Sequence, residues 1–333
     1  MRLFDLHCDT LDALALAGVS AGFSAQLGKA EAGDLADNRL ALGGRRMLAV
    51  APEGWAQCYA VWVPDDLAGT GLSPLAFYDR CQRYFASQMK AHANLFAQAR
   101  RPGDVGRALA SGRVAALLTV ENASPVTSLE VLDRMAADGV RMVTLTWNGA
   151  NQIAGGAREP GGLTPFGRQV VRRMGELGMA VDVSHLSDQG LADVLGATDA
   201  PLVASHSNAR AVCGHPRNLT DDQFRAIAER GGLVGLNYYR AFVREMGEEE
   251  AASPAREVTF DELSAHVEHF LDLGGERALA LGSAFDGSAV PEWLDGCERL
   301  PAFVDRLADR FGADVARRIS FENAAGFFDG EKR

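Results

Sequence analysis

The chain has 333 residues, 47% hydrophobic and 23% charged, enough apolar material for one large barrel or two smaller domains with no covalent staple. Its 33 Lys and Arg against 44 Asp and Glu leave a net charge of −11, and no basic run offsets it, which argues against a nucleic-acid partner. Cys8, Cys58, Cys81, Cys213 and Cys297 show no CxxC spacing, so they read as small buried hydrophobes in a reducing compartment rather than a disulfide framework or a thiolate zinc site.

In chain order, Met1-Arg2 leads into Leu3-Phe4 and an acidic Asp5, which leaves no apolar core for a signal peptide. No stretch reaches membrane-spanning length, so a cytoplasmic protein with no membrane partner is expected. Apolar runs bounded by turn residues predict eight strands, at Leu3–Leu6, Cys58–Val63, Val114–Val120, Met142–Thr146, Ala180–Ser184, Leu202–Ser205, Leu233–Asn237 and Ala278–Leu281. Between them, helical spacing of apolar residues predicts helices over Leu75–Ala99, Ser128–Asp138, Pro165–Leu177, Asp221–Glu229 and Phe260–Leu273. Eight β/α units over residues 1–333 suit a single-domain (β/α)8 TIM barrel better than two domains. The Gly- and Pro-rich segment Asn148–Thr164 and the segment Arg240–Glu257 then fall at the C-terminal face, where insertions cover active sites. The final Asp-Gly-Glu-Lys-Arg reads as a solvated end.

Residues able to bind metal fall at the C-terminal ends of these strands. His7 and Asp9 close the first, and their two-residue spacing in an extended chain aims both to one side. Glu121 ends the third strand, His185 the fifth and His206 the sixth, and Asp286 follows the eighth. A lone histidine at a strand end is more often a hydrogen-bonded loop residue than a ligand. Only seven histidines exist, however, and three of them end three different strands alongside three carboxylates, all converging on one barrel mouth. Imidazole and carboxylate without thiolate suits zinc, with manganese or cobalt as substitutes, and a carboxylate can bridge two ions. Asp286 before Gly287 has a turn reading too, although its place after the eighth strand favours chemistry. Arg217, after Pro216, taken alone reads as a surface arginine.

The ordered set Phe4-Asp5-Leu6-His7-Cys8-Asp9-Thr10-Leu11, Val120-Glu121-Asn122, Leu163-Thr164-Pro165-Phe166-Gly167, Asp182-Val183-Ser184-His185, Ser205-His206-Ser207, Arg217-Asn218 and Phe285-Asp286-Gly287 resembles the membrane (renal) dipeptidase family, peptidase family M19. The resemblance covers nearly the whole chain. It implies a zinc-dependent dipeptidase that tolerates a C-terminal D-residue, and a homodimer acting on small dipeptides. It further implies two Zn2+ per chain, one held by His7 and Asp9, the other by His185 and His206, with Glu121 bridging. Asp286 is then the acid/base residue, and Arg217, eleven residues after His206, holds the substrate carboxylate. One departure stands out. Animal members of the family carry a histidine after the Leu-Thr of the fourth strand, whereas this chain reads Leu145-Thr146-Trp147-Asn148. Trp147 or Asn148 is the expected replacement in oxyanion stabilisation, unless the substrate differs. His215 is a further donor in reach of that role, or a loop histidine without one. His92, His266 and His269 read as surface or packing residues. The alternatives are a hydrolase of another carboxylate-bearing amide or lactam, and an inactive metal-binding barrel.

Overall fold

The computed structural model describes residues 1–16, 33–68, 70–253 and 257–330. Residues 331–333 of the expected solvated end, and 254–256 of the loop after the seventh barrel strand, lie outside the described residues.

Among the described residues, nine parallel strands form the sheet: β1 Arg2–Cys8, β2 Gly54–Trp62, β3 Phe96–Gln98, β4 Val114–Glu121, β5 Val140–Thr144, β6 Ala180–Asp182, β7 Val203–Ala204, β8 Leu233–Leu236 and β9 Leu279–Leu281. The order β2-β1-β9-β8-β7-β6-β5-β4 closes on itself through β2–β4 pairing, giving a closed eight-stranded parallel barrel with helices between strands. All eight expected strands are present, with shifted ends. The ninth, β3, was not expected. The helix predicted over Leu75–Ala99 stops at Ala91, and Phe96–Gln98 instead pairs with Val114–Ala116 at the foot of β4. β2 lies along one edge of β4, so β3 shares the other edge with β5, which takes over from Leu118. Helix Pro74–Ala91 begins where Ser73 caps the Ala76 N–H and Pro74 sits at the first turn, a local start signal.

Residues from around the ring, Phe4, Leu6, Ala56, Cys58, Ala115, Leu117, Met142, Val203, Leu233 and Ala280, form one buried cluster, and only the barrel interior touches so many strands at once. Phe321, Ala324 and Phe328 of the C-terminal helices join that cluster, with the Phe4 and Phe328 rings stacked 5.5 Å apart. Leu3, Tyr59, Val61 and Val114 belong instead to the larger cluster between strands and helices, and the Tyr59 hydroxyl lies 3.8 Å from the Met47 sulfur.

Alternation puts Phe4 and Leu6 inside and Leu3 and Asp5 on the opposite face, so an unbroken β1 would turn His7 toward the helices. The pairing prevents this. Asp5 is opposite Gln57 while Cys8 is opposite Tyr59, three steps on β1 against two on β2. This bulge rotates the end of β1 and brings His7 into the mouth, a use of bulges found beside active sites.

Close backbone packing fixes the neighbouring strand ends. A Cβ on Gly235 would lie 1.9 Å from the Ser205 carbonyl oxygen, and one on Gly282 2.0 Å from the same atom. Gly235→Ala is therefore expected to destabilise the fold by about 3 kcal/mol, lowering Tm by roughly 5–10 °C in a thermal melt.

Candidate metal centre

His7, Asp9, Glu121, His185 and His206 are all buried at the mouth, whereas Asp286 is only partly buried. His7 lies within β1 and Asp9 just past it, where Asp9 is not extended (φ −105°, ψ 10°) but caps helix Thr10–Ala15. Their approach therefore rests on the bulge and the cap rather than on strand alternation. Glu121 is the last residue of β4, while His185 and His206 follow β6 and β7. His7 Nε2 lies 3.5 Å from Asp9 Oδ2 and 3.2 Å from Glu121 Oε2. On the other side, His185 Nε2 is 2.8 Å and His206 Nε2 3.6 Å from Glu121 Oε1, and the two Nε2 atoms are 2.9 Å apart. Glu121 thus offers one oxygen to each of two groups of ligand atoms. His7, Glu121 and His206 present ligand atoms within 4.8 Å of one another.

Hydrogen bonds behind the rings fix their tautomers. Asp182 accepts from Thr144 Oγ1, the Ser184 and Ser205 N–H groups, and Ser205 Oγ at 2.5 Å. With the Ser205 proton committed to Asp182, Ser205 Oγ accepts from His206 Nδ1 at 2.8 Å, which leaves His206 Nε2 bare. Asn148 Oδ1 accepts from His185 Nδ1 at 3.2 Å, with the same result. Burial, with the positive charge of Arg217, pushes His185 down to about 4, and burial with His7 holds His206 well below the imidazole range. Two lone pairs facing each other at 2.9 Å repel unless a cation lies between them. Burial opposes a charge on His7, but Glu121 and Asp9 outweigh it and raise its pKa well above the usual value. A bound cation would displace that proton. Burial works against the Glu121 carboxylate, yet His7 and His185 bring it well below the usual range.

These residues fit a metal. The donors are imidazole nitrogens and carboxylate oxygens, and buried Asp9 Oδ1 has no hydrogen-bond partner. Gly287 makes room for that carboxylate, since a Cβ there would lie 1.9 Å from Asp9 Oδ2. Ser205→Ala is expected to weaken metal affinity about 10- to 100-fold by freeing the His206 tautomer, measurable by competition with a chromogenic chelator.

The cluster floors a cavity of ≈ 610 Å³ walled by Trp62, Trp147, Asn148, Arg217 and Phe242. Arg217 is not a surface residue. It is 6% exposed, its Nε has no hydrogen-bond partner, and burial lowers its pKa to about 10 although Glu121 and Asp182 oppose that. Trp147 packs edge-on against Trp62 at 5.0 Å and faces the His185 ring at 6.2 Å. Asn148 is committed to His185 through its carbonyl oxygen. Asp286 departs most from expectation. Its carboxylate accepts from Thr10 Oγ1 at 2.5 Å and the Ala41 N–H at 2.9 Å, and its side chain is not among those lining the cavity. His266 and His269 are held by Val243 O and Asp221, as packing residues are, and His92 by Asp34.

Sequence reading missed Asp182 and Ser205 as supports and Trp62, Phe242 and Arg158 as walls. The Asp182-Val183-Ser184-His185 motif held part of that signal. Arg158, in the loop after β5, pairs with Glu248, in the loop after β8, so the two insertions join across the mouth. Non-glycine residues with φ of +54° to +72° are Asn122, His185, Ala284 and Asp286, at the ends of β4, β6 and β9. Backbone strain is thus concentrated around the cluster. Asn122 repays its strain by binding Val63 O and accepting from Asn151, which ties the loops after β2 and β5 together.

A closed parallel barrel with imidazoles and a shared carboxylate at the C-terminal ends of its strands places the chain in the TIM-barrel class, with a candidate metal site at the mouth. The chain belongs to the membrane dipeptidase family (Peptidase family M19), whose profile matches residues 2–325. It is 37% identical over 184 residues to an uncharacterized protein in the pqqA 5′ region of Klebsiella pneumoniae, covering 53% of this chain and 66% of that one. It is 34% identical over 212 residues to an uncharacterized dipeptidase of Schizosaccharomyces pombe, covering 61% of this chain and 49% of the relative. Both matches span less than two thirds of those relatives. A metallo peptidase from Rhodobacter sphaeroides, liganded with a phosphinate mimic of the dipeptide L-Ala-D-Ala, superposes with a TM-score of 0.84 at 26% identity, over 99% of each chain.

Proposed function

We propose that this protein is a binuclear zinc dipeptidase that cleaves dipeptides, including those with a C-terminal D-residue. The observation that carries the reading is Glu121, whose two oxygens are shared between His7 on one side and His185 and His206 on the other, beside the buried Arg217. Bound metal ions would supply a nucleophile at neutral pH and a Lewis acid for the scissile carbonyl. His7 and Asp9 would hold one ion, His185 and His206 the other, with Glu121 between them. Manganese or cobalt would fit the same donors.

Ser205 and Asn148 keep the two imidazoles in the ligating tautomer. Arg217, buried and incompletely satisfied, takes the substrate's free carboxylate with a planar fork of donors. Trp62 and Trp147 form an apolar wall that keeps water from the reacting bond, and the indole N–H of Trp147 is the proposed donor in place of the family histidine. Asp286, beside Asp9, is the proposed proton carrier between nucleophile and departing amine. Its carboxylate must then exchange the Thr10 hydrogen bond for one to substrate or water. The cavity volume suits a molecule of dipeptide size. The phosphinate ligand of the Rhodobacter relative supports a D-residue at the second position.

Trp147 also favours a second reading, hydrolysis of another carboxylate-bearing amide or lactam at the same site. Five free, buried cysteines support a cytoplasmic location, and the family resemblance supports a homodimer. Among the described residues no helix is long and apolar enough to cross a membrane.

The test is metal content of the purified protein together with hydrolysis of dipeptides carrying L- or D-residues second, before and after chelation and zinc repletion. About two zinc per chain with chelator-sensitive cleavage supports the reading. Two metals without cleavage of any dipeptide moves the function to another amide, and no metal overturns the enzyme reading.

A further inference from the structure

Four observations converge on His215, in the loop between His206 and Arg217. It lines the same cavity as the metal-capable residues. Its Nδ1 accepts the Arg217 backbone N–H at 3.1 Å, so the ring proton resides on Nε2. Its ring packs on Phe242 at 4.5 Å between centroids, and the Arg217 guanidinium lies over that same Phe242 ring at 5.3 Å. Burial, together with Arg217, Arg158 and Arg210, lowers its pKa to about 4, which keeps the ring neutral at working pH.

We propose that His215 is a specificity-determining residue, whose Nε2–H donates to the substrate's terminal carboxylate beside the Arg217 guanidinium, with Phe242 as the platform that sets both groups side by side. This rests on the dipeptidase reading. A neutral donor beside a cation suits a carboxylate at this position. It completes the anion's hydrogen bonds without adding a second buried charge next to Arg217. A terminal carboxamide presents an NH2 group where the carboxylate presents an acceptor, so it places donor against donor. His215 thus sharpens selection for a free carboxylate on the residue that follows the scissile bond, against one that is capped or extended at its C-terminus.

The zinc-loaded wild type, His215→Ala and His215→Gln are compared on one dipeptide and on its C-terminal carboxamide. His215→Ala is expected to raise KM for the dipeptide about tenfold, with kcat within about threefold, and to leave kcat/KM for the carboxamide unchanged. The acid-to-amide preference then falls about tenfold, while His215→Gln, which keeps an N–H donor, retains most of it. Equal losses on both substrates would show a structural role only, and an unchanged preference would show none; either result overturns the inference while the dipeptidase reading stands. A wild type that cleaves no dipeptide overturns both.

Discussion

Glu121→Gln is expected to abolish dipeptide hydrolysis by a factor of about 10³ or more and to lower the metal content of the purified protein. Among the described residues Glu121 is the one carboxylate that faces all three imidazoles, with Oε2 toward His7 and Oε1 toward His185 and His206. An amide of the same shape supplies one neutral oxygen and one N–H2 donor, and the donor end points at atoms that need a cation. The side chain is buried at the end of β4, so the isosteric change leaves packing intact and circular dichroism should be unaltered. Metal analysis and steady-state kinetics on the same sample check it. Full metal content with near-normal turnover would sink the shared-carboxylate account.

Arg217→Met should separate function from stability. The guanidinium is buried, its Nε has no hydrogen-bond partner, and Nη2 reaches only the His206 carbonyl at 3.5 Å. The desolvation of this buried cation outweighs the support it receives from Glu121 and Asp182, so an apolar chain of similar length is expected to leave Tm unchanged or slightly higher. Binding moves the other way. Loss of the carboxylate's buried partner is expected to lower kcat/KM about 10²- to 10³-fold, mostly through KM. Unchanged KM with wild-type stability would remove Arg217 from the substrate site and with it the assignment of the carboxylate end of the cavity.

The barrel was legible because its signals are local. Each strand is a short apolar run bounded by turn residues, and period and spacing report that without knowledge of partners. Helix starts such as Ser73-Pro74 and Thr164-Pro165 are equally local. Phe96–Gln98 was not legible as a strand. Three residues after a long helix carry too little pattern, and only the free lower edge of β4 recruits them. Asp286 shows the same boundary. Its position after the last strand is plain in the sequence, but the direction of its carboxylate depends on Thr10 and Ala41, 276 and 245 residues away.

The sequence by itself determined which residues can ligate a metal and which strand each one ends, because residue type and strand order are properties of the chain. Tertiary structure alone decided which of them face one another. His7 shares its alternation phase with Leu3 and Asp5 and would face the helices, yet the slip between Asp5–Gln57 and Cys8–Tyr59 pairing turns it inward. Similarly, the tautomers of His185 and His206 are set by Asn148 and by the Asp182–Ser205 pair, which reach the rings across strands. Spacing along a chain has no access to such choices, since a bulge or a hydrogen bond between strands exists only once the partner strand is in register.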